Sequence, residues 1–446
     1  MNPALPAEPT AVFDRPYVVS WNLTYRCNLA CEHCYLDAGP NPLVASDAFA
    51  DRSELGTEEC FAVADQIAQL APECVTILTG GEPLLRRDIL AIVAHAASRG
   101  LWVVVGTNGV RITENVASQL AANGARGVAL SLDAVDGAAH DAFRNVRGAF
   151  ANTVEAAHVL ARVGMPFLIQ TTVARHNVDD LEAIAELAHE RLGAKVWNLY
   201  FLVPSGRGEY VSDLDPATYD GVLERLYHLQ RRFSGRMLVN AKCAPHHVRT
   251  ALAHDPDAPL PRTYAGGAGG CPAGTHYLGI RPNGDVTPCP YLPVFAGNLR
   301  SDSLGEIWTD SELFQRIRKR DSLGGRCGDC ELKSACGGCR ARAHGTSGDY
   351  MAADPLCAHE VGRFKDLPSI ARRDEGYGER AAPGLRWDPA ALERMKQIPA
   401  FVRGMVTRTV EAHCRERGIT VIDERTLAEI RSRMPAARVF GKPERL

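Results

Sequence analysis

Residues 25–35 read YRCNLACEHCY, which sets Cys27, Cys31 and Cys34 apart by three and then two residues. The segment before them, Tyr17–Leu23 (YVVSWNL), reads as a buried strand, so the cysteines occupy the loop that leaves it. A loop of this spacing can wrap three thiolates around one corner of a cubane iron–sulfur cluster, leaving the fourth iron without a protein ligand. A structural zinc site would draw a fourth Cys or His from nearby. His33 lies inside the loop itself.

Outward from this loop, five more strand-like runs follow: Cys74–Thr79, Leu101–Gly106, Gly127–Leu132, Phe167–Val173 and Lys195–Val203. Helical patterns separate them, over Thr57–Leu70, Arg86–Arg99, Glu114–Ala122, Thr153–Val163 and Asp179–Arg191. Thr57 is the expected cap of the first, with Glu58 and Glu59 suiting the positive end of its dipole. Strand and helix alternating in this way predict βα units around a parallel sheet. Six units are fewer than the eight of a closed barrel. The expectation is an α/β fold built on a partial (βα)6 barrel, with its chemistry at the C-terminal ends of the strands.

The division expected along the chain is a tail over 1–15, the barrel over 16–235, a cysteine-rich iron–sulfur domain over 236–365, a linker over 366–386 and a small helical domain over 387–446. Pro216–Phe233 forms a helical bridge out of the barrel, and a glycine-rich stretch over 265–270 precedes the second cysteine group. The last unit has helical patterns over Pro389–Gln397, Phe401–Arg417 and Arg425–Arg433.

The chain has 446 residues, 23% charged, with a formal net charge of −3, so its composition asks for no nucleic-acid partner. The N-terminus lacks the basic and apolar regions of a secretory signal, and no apolar run is long enough to span a membrane. The expected compartment is the cytoplasm, where closely spaced cysteines serve metals more often than disulfides. Of the 14 cysteines, Cys60, Cys74, Cys243 and Cys414 stand apart and read as small buried apolar residues.

Motifs recur at successive strand ends. Gly80-Gly81-Glu82-Pro83 follows the second strand, Thr107-Asn108-Gly109 the third, and Ser131-Leu132-Asp133 ends the fourth. With CxxxCxxC after the first strand, this order resembles the radical S-adenosylmethionine superfamily over residues 16–235. The resemblance implies a [4Fe–4S] cluster on Cys27, Cys31 and Cys34, whose open iron binds the amino and carboxylate groups of S-adenosyl-L-methionine. It also implies reductive cleavage of the cofactor to a 5′-deoxyadenosyl radical, with Gly80, Gly81, Glu82, Thr107, Asn108, Ser131 and Asp133 around the cofactor and Tyr35 near its adenine. An electron donor such as flavodoxin or ferredoxin is implied.

The second cysteine group comprises Cys271, Cys289, Cys327, Cys330, Cys336, Cys339 and Cys357, with Gly284-x4-Cys289 and Cys327-x2-Cys330-x5-Cys336-x2-Cys339 inside it. It resembles the SPASM domain, which carries auxiliary iron–sulfur clusters, although the last spacing is one residue shorter than that pattern. The resemblance implies one cluster on Cys327, Cys330, Cys336 and Cys357. It leaves Cys271, Cys289 and Cys339 one thiol short of a second, to be open, completed by a residue such as His276, or empty.

Finer likeness concerns the substrate. GNLRSDSLGEIW and the block from Leu323 to Cys357 resemble the tetrapyrrole branch of these enzymes, in heme d1 and alternative heme synthesis. Residues 387–434 resemble a small domain of a protochlorophyllide reductase subunit. The implied activity is decarboxylation or removal of propionate or acetate side chains of a siroheme-derived tetrapyrrole. Carboxylates of that kind suit bidentate arginines, and Arg207, Arg340 and Arg342 are the candidates. The alternative is a maturase acting on a ribosomally made peptide; such enzymes commonly carry a recognition module ahead of the barrel, where about 15 residues stand here.

Overall fold

In a computed structural model the described residues are 14–40, 53–210, 214–254, 270–365, 384–396, 398 and 400–433. Residues 1–13 of the expected tail, 265–269 of the glycine-rich stretch and 366–383 of the expected linker lie outside them.

The six expected strands form as β1 (Val18–Asn22), β2 (Val75–Thr79), β3 (Trp102–Thr107), β4 (Gly127–Ser131), β5 (Phe167–Val173) and β6 (Val196–Phe201). They pair in parallel and in chain order. The sheet does not stop there. A seventh parallel strand, β7 (Leu238–Lys242), joins β6, and β8 (Tyr277–Ile280) pairs in parallel with the other edge of β1. β9 (Asp285–Thr287) and β10 (Gly297–Asn298) extend that edge antiparallel, giving one ten-stranded sheet. The division expected at 235/236 therefore falls between strands of a single sheet.

Alternation along each strand sends one set of side chains toward the helices and the other toward the concave face. Trp197, Leu199 and Val239 join the apolar core beneath the helices, with Val103, Val105, Val128 and Leu130. Helices form where periodicity predicts them, for example Thr57–Leu70 and Glu114–Ala122. Thr57 is the first helical residue, not the cap; Gly56 precedes it, and Glu59 accepts from the Gly56 N–H at 2.7 Å. Among the helices that were not expected is Gly137–Arg144, capped by the Asp136 side chain.

Residues 386–433 build a separate small core. Arg386–Trp387 and Val421–Ile422 pair in parallel, and Trp387, Met395, Cys414 and Ile422 pack between the helices. Arg403 joins this unit to the turn before β2 by an ion pair with Glu73 at 2.7 Å. Among the described residues no helix is long and apolar enough to cross a membrane.

Candidate active site

The concave face opens into a cavity that is lined by Cys27, Cys31 and Cys34. The cysteine loop is held from behind by the end of β2: the Gly81 and Glu82 N–H groups donate to the Thr24 and Arg26 carbonyls at 2.7 and 2.8 Å. A Cβ at Gly81 would lie 2.2 Å from the Arg26 oxygen, so only glycine permits this approach. Burial pushes the Cys27 thiol up to about 12 and raises Cys34 as well. Such thiols give up their protons when a metal takes them. The His33 ring lies in the cavity wall and stacks on Phe143 at 4.1 Å.

Gly80, Gly81, Thr107, Asn108, Ser131 and Tyr35 all line this cavity. Tyr35 donates to the Asn22 side chain at 2.7 Å, and its ring lies 4.7 Å from that of Tyr291. Two residues expected around the cofactor, Glu82 and Asp133, are not among those that line the cavity. Glu82 is fully buried behind the wall, accepting from the Thr107 hydroxyl (2.8 Å), the Asn108 N–H (2.8 Å) and the Leu84 N–H (3.1 Å). It clasps the second strand end to the third, and burial raises its carboxyl to about 7. Asp133 is also fully buried, pairing with Arg144 (2.7 Å) and accepting from the Thr172 N–H (2.7 Å).

Arg144 is the residue that sequence reasoning missed. It ends the helix Gly137–Arg144, lines the cavity, and reaches the Cys31 sulfur at 3.7 Å while Asp133 anchors it. An arginine inside an amphipathic helix reads as solvated surface, and nothing local marks this one as turned inward.

The arginines expected to meet substrate each have partners within the protein. Arg207 lines the cavity, but its guanidinium staples the cysteine loop, donating to the Cys31 carbonyl (2.9 Å) and the Ala38 carbonyl (2.8 Å). Arg340 is fully buried and bonds the Tyr350 and Ala352 carbonyls at 2.9 and 2.7 Å. Arg342, also buried, pairs with Asp354 at 3.1 Å and the Cys243 carbonyl at 2.9 Å. Both brace the cysteine-rich region.

In that region Cys327, Cys330, Cys336 and Cys357 surround one small pocket. Cys271, Cys289 and Cys339 gather in a separate buried cluster, with Cys243 packed against it. A thiol–thiol hydrogen bond joins Cys243 to Cys339, lowering Cys339 and raising Cys243. Cys243 thus stands with the other three thiols, at the end of β7, where its backbone takes a φ of 57°. His276 instead packs on Tyr17 and bonds Thr275. None of the 14 cysteines forms a disulfide. Eight thiols in two groups of four, each buried or half-buried, suit iron–sulfur clusters.

A parallel partial barrel, a three-cysteine loop on its rim and buried thiols behind it define a class. The chain matches the Radical SAM superfamily over residues 21–188, an iron-sulfur cluster-binding domain over 271–331, and the proto-chlorophyllide reductase 57 kD subunit over 387–431. It belongs to the radical SAM superfamily and is an iron–sulfur-dependent enzyme that uses S-adenosylmethionine. More particularly, it is 36% identical to the AdoMet-dependent heme synthase of Methanosarcina barkeri, across 79% of this chain and 99% of that protein. It is 34% identical to the mycofactocin maturase MftC of Mycolicibacterium smegmatis, across 87% of this chain and 93% of the relative. Streptococcus suis SuiB bound to S-adenosylmethionine shares the fold, with a TM-score of 0.61 over 78% of each chain at 17% identity.

Proposed function

We propose that this enzyme oxidatively decarboxylates propionate side chains of an iron-bound tetrapyrrole in heme synthesis. The observation that carries the reading is the likeness to the Methanosarcina barkeri heme synthase, which spans nearly all of that protein. Bound S-adenosylmethionine supplies a 5′-deoxyadenosyl radical, which takes a hydrogen atom beside the carboxylate-bearing carbon. Loss of carbon dioxide and one electron would then leave a vinyl group, and a cluster held by the rear cysteines would supply the electron acceptor.

The chain's residues divide this work. Cys27, Cys31 and Cys34 hold the first cluster. Ser131 and Arg144, anchored by Asp133, meet the cofactor's carboxylate, while Gly80, Thr107 and Asn108 shape its bed. Cys327, Cys330, Cys336 and Cys357 hold one auxiliary cluster, and Cys243, Cys271, Cys289 and Cys339 hold another. Tyr291, which lines the cavity and packs on the second group, separates substrate from that centre. A flavodoxin or ferredoxin in the cytoplasm supplies the initiating electron.

With anaerobic enzyme, S-adenosylmethionine and a reductant, iron-coproporphyrin should become lighter by about 46 Da per side chain, one carbon dioxide and two hydrogens. The likeness to mycofactocin maturase favours a second reading, modification of a ribosomal peptide. No mass change in any tetrapyrrole, together with 5′-deoxyadenosine formation driven by a precursor peptide, would establish that reading instead.

A further inference from the structure

Away from the cavity, a group of metal-binding side chains stands on the outer helices. The helix Pro216–Arg232 runs into β7, and the helix His247–His254 follows that strand after Cys243. Glu224 and His228 are four residues apart, so they share one face of the first helix. His254, the last residue of the second helix, meets them there. The Glu224 carboxylate and the rings of His228 and His254 each offer one ligand atom, and these atoms all lie within 4.8 Å of one another.

The surrounding contacts hold this arrangement in place. The Tyr219 hydroxyl bonds His246 Nδ1 and the Gln230 side chain bonds His247 Nε2, each at 2.8 Å, while Asp220 pairs with Arg249, so the two helices are tied along their length. The buried Tyr227 ring stacks on His254 at 4.4 Å and nearly parallel, which fixes the plane of that imidazole as its Nε2 meets Glu224. The His228 ring stands edge-on to it, 5.4 Å away. An ion pair needs only Glu224 and His254. The third side chain brings the set to the three protein ligands that zinc takes when water fills its fourth position. Two imidazoles and a carboxylate suit a first-row divalent ion. Ligand atoms on one zinc stand about 3.3 Å apart. Glu224 and His228 are exposed, so rotation of their side chains closes the remaining distance.

We propose that Glu224, His228 and His254 bind a zinc-like divalent cation, which clamps the helix before β7 to the helix after it. Such an ion closes residues 224–254 into a loop around β7 and the Cys243 turn, and its binding free energy adds to the stability of that segment. The site is independent of the substrate reading.

The test uses the full chain with its iron–sulfur clusters loaded, dialysed anaerobically against known free zinc, with zinc and iron both counted per chain. Wild type should take up one zinc with no loss of iron, and His228→Ala and His254→Ala should each bind it at least about tenfold more weakly. Saturating zinc should raise the Tm of wild type and leave that of the variants unmoved. Both histidines are exposed and far from the cysteine loop in function, so unchanged 5′-deoxyadenosine formation reports an intact variant. Equal zinc uptake by wild type and variants, uptake only as iron is lost, or no uptake by wild type would overturn the proposal. If the alanine variants do not fold, Glu224→Gln, which removes the charge and keeps the shape, must show the same weakening; unchanged affinity there overturns it equally.

Discussion

The two cysteine regions solve opposite problems. In the front loop three thiols face an open cavity, and the surrounding side chains hold the loop without adding a fourth ligand: Arg207 grips its carbonyls and Gly81 lets β2 lie against it. In the rear, cysteines gather in fours, and buried arginines brace the loops between them. An incomplete ligand set, against sets of four, is what separates a centre able to bind a cofactor from centres suited to passing electrons. Two glutamates carry the same contrast. Burial raises Glu82 at the front to about 7; Glu331, beside Cys330, is opposed by burial but held at about 2 by the Gly362 and Phe364 N–H groups and His359.

The strongest way to break this contrast is Cys31→Ala. It should abolish 5′-deoxyadenosine formation while most rear iron remains; turnover at the wild-type rate would refute the front assignment. Next is Cys243→Ser, expected to cost up to about four irons per chain and the electron paramagnetic resonance signal of one rear cluster. Full iron content with an unchanged spectrum would return Cys243 to a packing role. Asp133→Asn leaves Arg144 without its counter-charge, so the KM for S-adenosylmethionine should rise about tenfold, with iron content preserved. An unchanged KM would take Arg144 off the cofactor.

The smallest effect concerns Glu82. Its carboxyl is raised in the fold from 4.5 to about 7, so the folded state binds the extra proton. The stability this contributes is fully present below pH 4.5 and is lost as pH rises toward about 7. Thermal melts between pH 5 and 7 should therefore show a falling Tm in wild type and a flatter profile in Glu82→Gln. Parallel profiles would show that the clasp does not titrate.

The front site was largely legible because its signals are local. Three cysteines within eight residues and a Gly-Gly turn lie beside strands whose alternation is plain. What sequence could not show is direction. Glu82 and Asp133 stand at strand ends as cofactor ligands would, yet both turn inward to neighbours at distant positions, Thr107 and Arg144. Cys243 was hidden by its distance from Cys271 and by a turn that depends on one residue's positive φ. β7 and β8 escaped for another reason. LVNAK carries polar residues on the cavity face, and YLGI is short and interrupted by glycine, so neither reads as a core strand.

The pairing of β8 with β1 has a consequence for how such an enzyme can be taken apart. The strand that leads into the cysteine loop is flanked by β2 on one side and by a strand from more than two hundred residues later on the other. Cutting the chain after residue 270 would leave the free N–H and C=O groups of β1 along an unprotected seam, inviting strand addition from a second molecule. The two halves, consecutive as text, are therefore not separable parts: the rear half closes the edge on which the front half's chemistry is hung.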